Sequence, residues 1–297
     1  MTTRNSLKRA THIYLAVIIV VLLPVRTFGW GSKAHQTIAL IAMTRLSTSA
    51  NQAIAKLLDP RETLESVSTE ADQTRMLRPD TKSWHFVSIP LSDNYYSRTK
   101  DCAKGETCLI EAIDQQIAIL KDTGRDSNQR AEALKFLVNL IGDLHQPFHV
   151  TTNTNPQDLA ANRVRVVSLA GRSTNLHEVW DTDLVEYGLK QSAKSVGEYA
   201  SKLNSKFSQS SSKQSSRSSG IVSTQGSITD WALEAHKLPW MAYMHNGEFM
   251  VADPQRSWTL DQGYYDNNLR LVELQLVRAG ARLAKILNDI FNVKQGY

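Results

Sequence analysis

Two short stretches of the chain carry side chains that could do chemistry. In Leu137 to His149, LVNLIGDLHQPFH, an apolar helical pattern delivers Asp143 and then breaks at Pro147, leaving His149 just past the helix end. Two groups that are costly to bury therefore meet an apolar wall. In NLHEVWD, His177 and Asp181 stand at i and i+4, which puts an imidazole and a carboxylate on one helix face, a spacing suited to chelating a metal. Taken alone, that spacing also fits an ordinary hydrogen-bonded pair. The metal reading gains from company: His35, Asp72, His85, Asp143, His149, His177 and Asp181 all sit in locally apolar contexts, such as WHFVSIP around His85. Desolvated imidazoles and carboxylates need partners, and a shared cation serves several of them at once.

The start of the chain adds an unusual candidate. Arg4, Lys8 and Arg9 precede an apolar run from Ile13 to Leu23, followed by Pro24, Arg26 and Gly29, the pattern of a signal peptide over residues 1–29. The run is shorter than the ~20 apolar residues that span a bilayer, and no later segment reads as transmembrane. A secreted or endomembrane-lumenal protein with no membrane partner after cleavage is expected, and Trp30 becomes its first residue. A free α-amine and the carbonyl of the same residue can chelate one metal in a five-membered ring once the amine is neutral. Trp30 lies five positions before His35.

Removing the leader changes the charge argument. The formal charge of +5 includes four basic residues and no acidic ones before Trp30, so the remainder carries 30 positive against 29 negative. Bulk charge offers no general polyanion-binding surface, and any affinity for nucleic acid must come from a local site. Cys102 and Cys108, the two cysteines of the chain, are close in a loop-like stretch containing Lys104 and Gly105. A short-range disulfide fits a secreted protein, with a pair of free thiols as the other reading.

The elements that must position these groups are helical. Apolar residues recur at three and four in His35 to Leu46, Cys108 to Leu120, Ala131 to Leu144, Leu176 to Tyr187, Ile228 to His236 and Leu269 to Asn292. Arg163 to Val167 alternates like half of a small hairpin. Residues 205–220, SKFSQSSSKQSSRSSG, lack the apolar surface to offset ordering and read as a mobile insertion in one domain, residues 30–297. The expected fold is all-α, a single mainly helical domain with a small β-hairpin.

Five motifs in order, W-G-x-x-x-H at Trp30, A-D-x-x-R from Ala71 to Arg75, W-H-F at Trp84, G-D-L-H-Q-P-F-H and T-N-L-H-E-V-W-D, resemble the nuclease type I family. These are three-zinc, single-strand-specific nucleases and 3′-nucleotidases, distantly similar to zinc-dependent phospholipases C. WALEAHKLPWMAY and QLVRAGARLAKILN extend the likeness over nearly the whole chain after the leader. The resemblance implies three zinc ions. Asp72, His85 and Asp143 would hold one, Trp30 and His35 with a bridging Asp143 its neighbour, and His149, His177 and Asp181 the third. It also implies that Arg75 contacts the phosphate and that Phe86 stacks a base, although Phe86 also reads as a core residue. A water held between two close zinc ions loses a proton near neutral pH and can attack phosphorus in line, with Arg75 adding a bidentate donor for the growing charge. The resemblance therefore makes Asp72, Arg75 and Asp143 the catalytic set, with single-stranded DNA or RNA and 3′-nucleotides as substrates, 5′-phosphorylated products and a monomeric enzyme.

The chain departs from that pattern in places. The family's histidine four residues before the bridging aspartate is Asn139 here, and an amide oxygen is a poorer zinc donor than imidazole. His145, two residues from Asp143, lies on the wrong helix face to replace it, which suits a supporting or capping role. Ser88 stands where the family usually has a base-reading acidic or amide group, Ala160 and Ala161 replace a glycine pair, and a second disulfide lacks both cysteines. Asn139 leaves two outcomes open: an active enzyme with an altered first zinc site, or a weakened nucleic-acid-binding homologue. Within enzymes, a phospholipase C-like phosphodiesterase is the other reading. The active nuclease is expected, since every other ligand position is filled.

Overall fold

A computed structural model describes residues 30–75, 77–152, 164–209, 222–252 and 256–292. The expected leader, Ala160, Ala161 and most of the Ser-rich stretch lie outside the described residues. The helices are α1 (Ser32–Met43), α2 (Thr48–Leu57), α3 (Leu64–Val67), α4 (Glu70–Thr74), α5 (Arg98–Asp101), α6 (Leu109–Lys121), α7 (Ser127–Leu144), α8 (Leu176–Glu178), α9 (Leu184–Ser192), α10 (Val196–Gln209), α11 (Ile228–His236), α12 (Pro239–Ala242) and α13 (Gln262–Phe291). The mainly helical expectation holds.

Residues of α1 are small and apolar on most of its surface, which explains its central place. Ala34, Ile38, Ala39, Ile41 and Ala42 are all buried, and the helix packs against α13, α10, α3 and α7. Close approach to α13 depends on Gly280, where a Cβ would stand 2.7 Å from Ile41 Cβ and 2.9 Å from the Ile38 carbonyl. α6 and α7 form the other main pair; their short connection starts α7 with an Asp126 cap on the Asn128 N–H at 2.8 Å. α13 begins at Gln262, seven residues before the sequence pattern suggests, because the Asp261 side chain caps the Tyr264 N–H at 2.9 Å while Tyr264, Tyr265 and Asn268 are buried.

Strands are short. β1 (Arg165–Val167) pairs antiparallel with β2 (Ser173–Asn175), the hairpin foreseen from alternation, and parallel with a third strand at Trp258–Thr259 that the sequence reading does not contain. β2 runs straight into α8, whose N-terminus is capped by Asn175 on the Glu178 N–H at 3.0 Å.

Two expectations change. α10 runs to Gln209, so the Ser-rich segment assigned to 205–220 begins inside a helix: Tyr199, Ala200, Leu203 and Phe207, at helical spacing, are each at most 4% exposed. The stretch from Leu176 is also not one regular α-helix. Val179–Asp183 forms a π-helical turn between α8 and α9.

Replacing Gly280 with Ala forces α1 off α13 and is expected to destabilise the protein by about 1–3 kcal/mol. A chemical denaturation midpoint equal to that of the unaltered protein would contradict this packing.

Candidate metal centre

The end of α7 brings the first two donors together. Helical hydrogen bonding stops at His145, Gln146 turns the chain, and Pro147 opens a single 3-10 turn, Pro147–His149. His149 then starts an extended segment laid beside the one that follows His85. Val87 N–H donates to the His149 carbonyl at 2.9 Å, Thr152 N–H to Ile89 at 2.8 Å, and Leu91 N–H to Thr152 at 2.8 Å. The His149 ring donates its Nδ1 hydrogen to the His85 carbonyl at 2.8 Å, and since a carbonyl only accepts, Nε2 is left as a lone pair.

Asp143 is the centre. Its Oδ2 lies 2.7 Å from His85 Nδ1, and its Oδ1 3.5 Å from His35 Nε2 and 3.6 Å from His149 Nδ1. Asp72, on α4, approaches the same point, with Oδ2 3.6 Å from His35 Nε2 and Oδ1 3.8 Å from His85 Nδ1. Donor atoms of Asp72, His85 and Asp143 lie within 4.8 Å of one another, as do those of His149, His177 and Asp181. In the second group His177 Nε2 is 3.4 Å from Asp181 Oδ2, and His149 Nε2 is 3.7 Å from Asp181 Oδ1. The π turn still keeps His177 and Asp181 on one side, as the i, i+4 spacing implies.

These donors fit a cation because several are buried with nothing else to bind. Asp72 Oδ1, Asp143 Oδ1, His85 Nε2 and His149 Nε2 have no hydrogen-bond partner among the described residues. Buried polar atoms left unmatched cost about 1–3 kcal/mol each, so their presence in two adjoining groups of imidazoles and carboxylates calls for shared partners. A third set of donors, Cys102, Cys108 and Glu111, is no candidate, since the two sulfurs form a disulfide. That bridge closes a loop tied to the site by Leu109 N–H on the Phe86 carbonyl at 2.9 Å and Ser88 N–H on Asp101 at 3.0 Å.

Residues outside the donor set explain its sequence motifs. Gly142 lets the His35 ring lie flat against α7, because a Cβ there would sit 2.7 Å from His35 Nδ1. Gly31 has a similar role: its N–H donates to the Asp181 carbonyl at 2.8 Å, and a Cβ would meet that oxygen at 2.9 Å. The start of the described chain is thereby docked on the π turn, with Trp30 fully buried. Gln146, absent from the sequence candidates, accepts from the Phe148 N–H and donates to Asp181 Oδ1, each at 2.5 Å. Its position inside the H-Q-P-F-H motif is the signal that could have found it.

His145 takes no part in the cluster. Its Nδ1 donates to the Ile141 carbonyl at 2.8 Å and its Nε2 accepts from Arg282 at 2.9 Å, so it closes α7 and anchors it to α13. Arg75, 7% exposed at the end of α4, has its pKa lowered by burial, with Asp72, Asp143 and Asp181 opposing that shift in favour of its charge. Phe86 is half-buried and stacks on His149 with ring centroids 4.6 Å apart. Asn139 is buried one turn before Asp143, its amide nitrogen 2.8 Å from Asp72 Oδ2.

Electrostatics divide the two groups. Burial resists ionisation of Asp143, yet His35 and His85 beside it hold it well below the usual carboxylate range. Burial also works against a charge on His35, but Asp143 and Asp72 outweigh it and raise that pKa. In the second group burial dominates, pushing His149 down to about 4 and Asp181 up to about 7 despite the attraction of His177. His149 is thus neutral and ready to offer its lone pair.

A sequence profile of the S1/P1 nuclease family matches residues 30–292. The chain is 30% identical over 277 residues to nuclease S1 of Aspergillus oryzae, covering 89% of this chain and 92% of that protein. It is 28% identical over 273 residues to nuclease P1 of Penicillium citrinum, covering 88% and 97%, and 27% identical over 311 residues to endonuclease 2 of Arabidopsis thaliana, covering 96% and 99%.

Cation uptake at the His149, His177 and Asp181 group should release protons in a pH-dependent way. Because Asp181 is raised, its contribution to the stability of the cation-free protein is complete below the ordinary carboxylate range and lost as pH rises through about 7. A cation needs the ionised form, so uptake at pH 6 displaces the Asp181 proton and affinity weakens as pH falls, whereas at pH 8 that proton is already gone. Calorimetric titration with zinc in buffers of different protonation enthalpy reads the difference; equal proton release at both pH values would refute the assignment.

Proposed function

The chain belongs to the S1/P1 nuclease family, and from that membership we propose that it is a zinc-dependent endonuclease that cuts single-stranded DNA and RNA to 5′-phosphorylated products and dephosphorylates 3′-nucleotides. The observation that carries the reading is the gathering of buried imidazoles and carboxylates into two adjoining groups, around Asp143 and around Asp181, with several donor atoms that have no hydrogen-bond partner among the described residues and with a buried arginine and a partly buried aromatic ring beside them. Asp72, His85 and Asp143 would hold one zinc, Asp143 with His35 and the Trp30 amine and carbonyl a second, and His149, His177 and Asp181 a third. Zinc bound there supplies Lewis acidity toward a phosphodiester and the attacking water.

The chain's own residues do the rest. Asp143 stays ionised through the physiological range and presents an oxygen to each side of the cluster. Arg75 keeps its charge beside three carboxylates and offers a planar fork to non-bridging phosphate oxygens, where charge grows on the way to the transition state. Phe86, fixed by stacking on His149, offers an aromatic face to an unpaired base, which a base inside a duplex cannot reach. Gln146 orients Asp181, and the His85 carbonyl orients His149.

We further propose that residues 1–29 are a leader whose removal is needed for activity. The family match opens at Trp30, whose side chain is fully buried, and the next residue, Gly31, donates its amide hydrogen to the carbonyl of Asp181. The destination would be the extracellular space or an endomembrane lumen. Among the described residues no helix is long and apolar enough to cross a membrane.

Incubating the purified chain with single-stranded DNA, 3′-AMP and phosphatidylcholine in parallel separates the readings. Hydrolysis of the first two is expected, and cleavage of the lipid alone would assign the site to a phospholipase C-like activity. Binding of nucleic acid without turnover at saturating zinc would assign it to a binding protein. Arg75→Ala is expected to lower kcat/KM by at least about 100-fold with the fold intact, as for loss of one transition-state donor. One residue added before Trp30 should abolish activity; an active protein with a retained amino-terminal tag would refute the amine's role.

A further inference from the structure

Asn139 sits one helical turn before Asp143, fully buried, and faces the group formed by Asp72, His85 and His35. Its amide orientation is decided by a neighbour that is not part of the site. Nδ2 lies 3.0 Å from the Ser68 carbonyl oxygen, which can only accept, and 2.8 Å from Asp72 Oδ2. The two amide hydrogens are therefore taken, one by each oxygen. Rotating the amide by half a turn would set Oδ1 against both oxygens, replacing two hydrogen bonds by two repulsive contacts.

The consequence bears on coordination. Toward Asp72, Asn139 presents an N–H, and the amide atom nearest His35 Nε2, 3.4 Å away, is the same nitrogen, which has no lone pair to offer a metal. Oδ1, the atom that could ligate a metal, has no hydrogen-bond partner among the described residues and points away from the Ser68 and Asp72 oxygens. Asp72 is changed as well. Its Oδ2 accepts from the Asn139 amide, which fixes the carboxylate, while Oδ1 has no hydrogen bond among the described residues.

We infer that Asn139 is a hydrogen-bond clamp on Asp72 and not a ligand, so that the zinc held by Asp72, His85 and Asp143 has three protein donors and exchanges with the surroundings. This rests on the zinc reading above and deepens it: the enzyme would fill this position only when free zinc is sufficient, while its other ions stay bound. Three donors suffice to hold zinc and leave its remaining position open, but each missing donor weakens retention. Activity would then follow zinc availability through one position of the cluster.

The test counts bound zinc in the purified full chain after equilibration in buffers that fix free zinc over a wide range. For the unaltered protein the last zinc is expected to bind in a separate, weaker step. Asn139→His, which brings an imidazole lone pair to the same place, should move that step to free zinc at least about tenfold lower. A crystal structure of the zinc-loaded protein supplies a second readout that needs no variant: the Asn139 amide nitrogen should remain on Ser68 and Asp72. Asn139 Oδ1 found at about 2.0–2.2 Å from zinc would overturn the clamp, as would a single binding step that Asn139→His leaves in place. Absence of bound zinc even at saturation would overturn the zinc reading itself, and this inference with it.

Discussion

A fully buried carboxylate surrounded by imidazoles and a second carboxylate is the constraint on which the rest of this molecule depends. Asp143 has no exposure, yet it remains ionised because His35 and His85 beside it offset the desolvation that burial imposes. The balance is incomplete among the described residues, where one Asp143 oxygen, one Asp72 oxygen and a nitrogen on each of His85 and His149 have no hydrogen-bond partner. An apolar core tolerates such an arrangement only with a partner that satisfies several donors together, which is the chemistry a divalent cation would supply under the proposed function. The family membership and the physical requirement therefore point to the same chemistry.

Much of the fold is organised to deliver those groups without strain. α7 brings Asp143 to its final turn and ends where Pro147 cannot continue the helix, which releases His149 toward His85. Backbone pairing between the segments after His85 and His149 sets the two rings in register. α13, the longest helix, holds the end of α7 from behind through Gln275 on the His145 carbonyl at 2.9 Å and Arg282 on the His145 ring. Two glycines in the motifs, Gly31 and Gly142, are there for close approach and not for flexibility; each faces an atom less than 3 Å from where a Cβ would be.

The division between what was and was not legible follows the range of each interaction. The helices around Asp143, the i, i+4 pair, the β1–β2 hairpin and the cysteine pair were readable because periodicity, turn residues and short separations are local. α10 was obscured where its apolar residues entered a serine-rich stretch, although Tyr199, Leu203 and Phe207 kept helical spacing. The π turn at Val179–Asp183 was not readable, and neither was the role of Gln146. The turn accompanies a tertiary contact, the docking of Gly31 on the Asp181 carbonyl, and Gln146 acts on a carboxylate 35 residues away.

By itself, the sequence determined the types of donor, their order along the chain and the helical frame that carries them, because side-chain chemistry and hydrophobic period are written residue by residue. Only the tertiary structure decided which donors share a point in space, which lone pairs are free and how Asn139 turns its amide. That last choice depends on the Ser68 carbonyl, a backbone group 71 residues away whose acceptor character is the same for every amino acid. No pattern of side chains announces it, so the orientation appears only once the chain has folded.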